Sequence, residues 1–232
     1  MKKFIDLTPK ETRGLDNYLY KNAEQLKNNA ILIANANKSF SCATSLLVLS
    51  SEEIIKASLV LLHSQGYNVY DLEDAKKFFS DHKIRHHIAQ LIEMGFGLSE
   101  IREVWNNKNG VPFGEKLKSF FKNSFNSAQT ILKTNDRIKK LQKFNDLKNN
   151  GLYVGYFNKL YNPEDLVTEK DYESSMEIVN RLFNFYNDLN LLFKIEIRNE
   201  KEQMKIDKTK EDLKIFIDQA MKDFSFKALD KN

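Results

Sequence analysis

From Phe40 to His63 the chain is apolar on nearly every side of a helical projection, through Phe40, Ala43, Leu46, Leu47, Leu49, Ile54, Ala57, Val60 and Leu61, with Ser39 or Ser41 to start it and Gly66 to stop it. A helix apolar all round belongs at the centre of a bundle. The remaining elements are amphipathic at helical spacing. LTPKE, with Thr8, Pro9 and Glu11 as a capping box, predicts a first helix running with a break near Gly14 to about Asn35. A third helix fits from about Asp71 to Met94, and a short one from Ser99 to Trp105. NNKNGVPFG reads as a loop, and Leu117, Phe120, Phe121, Phe125, Ile131, Leu132, Ile138, Leu141 and Phe144 mark a long helix from about Glu115 to Asn149. The segment NNGLYVGYFNKLYNPEDLVTEKD breaks this pattern and reads as a packed connector. Thr168 with Asp171 then starts a helix carrying Ile178, Leu182, Phe185 and Leu189, and a last amphipathic helix carries Leu213, Ile215, Phe216, Ala220, Met221 and Phe224. The charged stretch IRNEKEQMKIDKTKED sets a boundary near residue 198, giving a helical domain over 1–198 and a charged helical extension over 199–232.

Composition agrees with an all-α fold. In 232 residues there are eight Gly and three Pro, too few for a turn-rich sheet protein. The single Cys42, among small and apolar neighbours, is expected to be buried and excludes an intrachain disulfide. MKKFIDLTPKET has no apolar run to make a secretory signal, and no apolar stretch approaches the roughly 20 residues of a bilayer span. These features predict a cytoplasmic protein with no membrane segment. A net charge of +4 is by itself weak evidence for nucleic acid.

Chemistry concentrates in two places. KKFFSDHKIRHHIAQL, residues 76–91, holds three of the four histidines. At about 100° per residue, Ala75, Phe79, His82, His86, Ala89 and Glu93 share a row, whereas His87 lies with Lys76, Lys83 and Gln90 on a polar face. In the apolar central helix, Leu49, Glu53, Lys56, Val60 and His63 form a row in which charge interrupts hydrophobicity. Such charges need a partner or a function. One reading is a simple Glu53–Lys56 helix pair; another brings this row against His82 and His86. His82 and His86 at i, i+4, with Glu53, would also have the spacing of a metal site, which the neighbouring Lys56 opposes.

The ordered features SSEEIIKA, FFSDHKIRHHI, LKNNGLYVGYFN and NPEDLVTEKDY resemble the AbiV family of abortive-infection proteins, of the HEPN superfamily, over roughly residues 20–190. The resemblance implies an all-α HEPN-like bundle of long antiparallel helices, a homodimer, and a metal-independent endoribonuclease without cofactor that arrests translation in phage-infected cells. The expected target is RNA or the translation machinery, with a phage protein as activator. Carried over by position, it points to Glu53, Lys56 and His82, with Glu52, Lys83 and His86 as neighbours. Many HEPN nucleases place an Arg four to six residues before the His; here Lys76 and Lys77 stand there and Arg85 follows. The candidate catalytic residues are therefore Glu53, Lys56, His82, Arg85 and His86, and the RNA-binding candidates are Lys83, Lys139 and Lys140. The alternative is a non-enzymatic helical protein that binds the translation machinery or a phage component through the Lys-rich face around Lys133, Arg137, Lys139, Lys140 and Lys143.

Overall fold

Helix α2 (Phe40–Ser64) is the axis of the bundle, and the computed structural model describes it together with the rest of residues 2–72, 75–82, 85, 88–89, 141, 143–194, 200–215 and 217–218. Leu47, Val48, Ile54, Ile55, Ala57 and Val60 on α2 are almost completely buried. Neither Gly nor Pro interrupts it, and its neighbours supply the apolar environment that its composition requires. It ends where expected: Gly66 takes φ +84, a left-handed conformation that a side chain would strain, and the Gly66 and Tyr67 amides pair with the His63 and Leu62 carbonyls.

Helix α1 (Asp16–Asn37) reaches α2 through a two-residue turn in which Lys38 is left-handed at φ 54. Ala23, Ala30 and Ala34 are buried, and Ser50 Oγ donates to the Ala23 carbonyl at 2.7 Å, so small side chains let the two backbones approach. Helix α3 (Phe144–Leu152) lies against another side of α2 and runs past the predicted end at Asn149. A hairpin follows, β1 (Gly155–Phe157) with β2 (Lys159–Tyr161), and then the single turn α4 (Pro163–Leu166). Helix α5 (Glu169–Lys194) packs Ile178, Val179, Leu182, Phe185 and Leu189 into the core. Helix α6 (Glu200–Ile215) adds Ile206 and Leu213 to the same core, and Tyr67 Oη donates to the Lys210 carbonyl at 3.2 Å.

The described protein is all-α apart from that two-stranded hairpin. The Thr168–Asp171 capping box forms at the entry to α5, with the Thr168 amide and hydroxyl donating to Asp171 at 2.9 and 2.7 Å. The Thr8–Glu11 box also forms, but it closes a turn, and α1 begins only after Gly14 at φ +79. The third predicted helix does not start at Asp71. Short 3-10 turns, Val69–Asp71 and Ala75–Lys77, occupy this stretch, separated by Leu72 in extended backbone. Val69, Leu72, Ala75 and Phe78 are all buried, a spacing of three that suits short 3-10 turns better than a 3.6-residue helix. Cys42 is partly exposed, not enclosed as expected. The predicted helix from Ser99, the NNKNGVPFG loop and the predicted helix over 115–140 lie outside the described residues. Among the described residues no helix is long and apolar enough to cross a membrane.

Candidate active site

Along α2 the positions Ser41, Ser45 and Glu52 fall in one row at spacings of four and seven, and all three are buried. Small hydroxyls at the first two let α3 settle close. A Cβ placed on Gly151 of α3 would lie 2.3 Å from Ser45 Oγ and 2.4 Å from the Ser41 carbonyl, so only glycine fits there. Ser45 Oγ also donates to the Lys148 carbonyl at 3.0 Å. The axial register of α3 on α2 is set by these contacts, which fix the Lys148 backbone against Ser45, two turns along α2 from Glu52.

Among the described residues, three cationic or titratable side chains converge on Glu52. His82 Nδ1 lies 2.5 Å from Glu52 Oε2, Arg85 Nη2 donates to the same oxygen at 2.9 Å, and Lys148 Nζ stands 3.6 Å from Oε1. The Glu52 and Arg85 side chains are each only 4% exposed. A buried carboxylate accepts and does not donate, so the His82 tautomer that satisfies it carries its hydrogen on Nδ1. Arg85 Nη2 also approaches His82 Nδ1 at 2.9 Å, which in this tautomer is a packing contact. Arg85 Nη1 donates to the Phe78 carbonyl at 3.1 Å, tying the guanidinium to the end of the 3-10 segment. The His82 side chain is 47% exposed, so the ring is anchored to Glu52 through Nδ1 while about half of its surface stays open to solvent.

His82 and Arg85 are thus brought together, on Glu52 and not on Glu53. Glu53 and Lys56 form an ion pair with each other on a partly exposed strip of α2. His63, in the same predicted row, is used elsewhere: its Nε2 is hydrogen-bonded to the Leu7 carbonyl at 2.9 Å and its ring stacks on Tyr70 at 3.7 Å. His86, His87, Lys83, Lys139 and Lys140 lie outside the described residues. Among those described, no group of three His, Cys, Asp or Glu side chains is arranged to hold a metal ion. Lys148 was not singled out from the sequence. Its signal was the glycine three residues on, because a glycine inside a helix marks close backbone approach.

The arrangement combines a carboxylate-anchored imidazole with two cations beside the middle of α2. That is equipment for moving a proton beside an anionic group. No curated protein and no solved structure matches the chain. The HEPN-type AbiV family model matches residues 11–184, well over half of the chain and all the segments that contribute to the site. The chain therefore belongs to the AbiV family of the HEPN superfamily.

Proposed function

We propose that the Glu52 site is the active centre of a metal-independent endoribonuclease that acts in abortive infection by cutting RNA of the translation machinery. Family membership supports a role in abortive-infection defence. The observation that carries the catalytic reading is the pairing of His82 with Glu52. The carboxylate takes the Nδ1 hydrogen at 2.5 Å, and the half-exposed ring keeps Nε2 for exchange with a substrate. In the proposed reaction His82 Nε2 accepts the proton of a ribose 2′-hydroxyl. The 2′-oxygen attacks the adjacent phosphorus, and the bond from phosphorus to the 5′-oxygen breaks. The products are a 2′,3′-cyclic phosphate and a 5′-hydroxyl, the latter protonated by a second imidazole, His86 or His82 of a second copy. Glu52 orients the ring, as a carboxylate does behind a catalytic imidazole.

The test is to induce the wild type and a His82→Ala variant in cells and to map 5′-hydroxyl RNA ends. Discrete new ends in the wild type alone support the reading; growth arrest that persists in the variant without cleavage sinks it. That second outcome favours a binding protein, for which the hairpin gives a specific observation: Tyr153, Tyr156 and Leu160 are exposed, Tyr156 to 75%. Such an apolar ledge is a surface for a partner.

A further inference from the structure

Resting on the ribonuclease reading, we infer that Lys148 is the side chain that binds the scissile phosphate, in place of the Arg that stands ahead of the His in many HEPN nucleases. Lysine is seldom buried without a partner or a task, and Lys148 is 9% exposed. Its ammonium stands 3.6 Å from Glu52 Oε1, beyond hydrogen-bond range, so the pair attracts without using up the N–H donors.

Arg85 is differently placed. Its two terminal nitrogens donate to Glu52 and to the Phe78 carbonyl, and its Nε is buried without a hydrogen-bond partner among the described residues. Both arms of the guanidinium are thus tied inside the protein, and its third nitrogen is shielded from an incoming ligand. Lys148 is therefore the cation of the cluster with donors to give to an incoming oxygen.

Charge points the same way. Two permanent cations, Arg85 and Lys148, stand beside the Glu52 carboxylate. Cations held in a partly buried site attract an anionic group, and a phosphodiester is such a group. Position completes the argument. The Lys148 carbonyl accepts from Ser45 Oγ, and Gly151 is seated against Ser41 and Ser45, so the ammonium rises from backbone locked to the helix that carries Glu52. A donor fixed before substrate arrives is what stabilises charge developing in a transition state.

The experiment uses the purified full chain, a short single-stranded RNA, and the same oligonucleotide with 2′-O-methyl riboses, which binds without being cut. Lys148→Met is expected to lower kcat by about 100-fold or more and to reduce the slope of log affinity against log salt for the methylated strand by roughly one phosphate contact. Lys148→Arg is expected to retain the slope and recover part of the rate. A purely structural lysine would leave the slope unchanged. A folded Lys148→Met protein with wild-type rate and slope overturns the inference, and Lys148→Gln serves if the Met variant does not fold. Should the wild type bind RNA without cutting it, the ribonuclease reading fails, while the slope still decides the role of Lys148. Should the wild type neither cut the unmodified strand nor bind the methylated one, both fail.

Discussion

Glu52 and Arg85 meet at 2.9 Å inside the bundle, each side chain shielded from solvent, so their attraction acts in a weakly screened environment and neither tolerates the loss of the other. Replacing Glu52 by Gln keeps the shape and removes the charge, leaving the Arg85 and Lys148 cations without compensation. The expected loss is about 3–5 kcal/mol, read as a lower urea midpoint at neutral pH. A variant with unchanged stability would show that Glu52 does not anchor these cations.

The Glu53–Lys56 pair is a contrast within the same helix. Its side chains are partly exposed and three residues apart, so Lys56→Met should lower stability by about 1 kcal/mol or less. A loss comparable with that of Glu52→Gln would mean that this strip is enclosed as tightly as the Glu52 row.

Gly151→Ala places a methyl carbon 2.4 Å from the Ser41 carbonyl and 2.3 Å from Ser45 Oγ. The helices must separate, at an expected cost of about 1–3 kcal/mol. Adding Ser45→Ala removes one clash and leaves the backbone one, so the double variant should recover only part of the loss in thermal melts; full recovery would locate the strain at the serine alone.

Tyr186 Oη donates to Asp16 at 2.7 Å in the core. Tyr186→Phe deletes the donor and strands a buried carboxylate, which should lower stability by about 1–3 kcal/mol. Chemical denaturation of the variant, alone and combined with Asp16→Asn, checks this; additive losses would show that the two do not interact.

Alkaline pH should weaken the fold. Burial pushes the Tyr67 phenol up to about 12, and it raises Tyr70 and Tyr186 in the same direction, with Asp16 adding to the effect at Tyr186. An unfolded phenol releases its proton near 10, whereas the folded Tyr67 keeps its own. The tyrosine contribution is therefore complete below about pH 10 and is lost as the pH rises toward about 12. Urea midpoints from pH 9 to 12 should fall over that window, and Tyr67→Phe should flatten the fall; a level profile in the wild type would contradict the sign.

Much of this architecture was legible along the chain, because α2 and α5 have long regular patterns and clear stop and start signals at Gly66 and Thr168. The three-residue spacing of Val69, Leu72, Ala75 and Phe78 was there to be read as well, but it is close enough to helical periodicity to be taken for it. The hairpin gave little warning beyond Asn158, which adopts φ 59 at its turn and is one of the few side chains that tolerate that region. The meeting of His82 and Arg85 with α2 was legible, but the carboxylate they meet was not. Adjacent carboxylates on a helix differ by about 100° in direction, and whether Glu52 or Glu53 faces inward is decided by where α3 and the His82 segment pack. Lys148 depended on the seating of Gly151: a glycine inside a helix signals a close approach, but its partner, about a hundred positions away, is named by no local pattern.

The same separation bears on when the site comes into being. Of the four side chains Glu52 is synthesised first, His82 and Arg85 next and Lys148 last. The cluster is therefore not a local unit of the chain: any nascent chain that stops short of Lys148 lacks one of its cations, and the site can close only after α3 has been added and seated on α2.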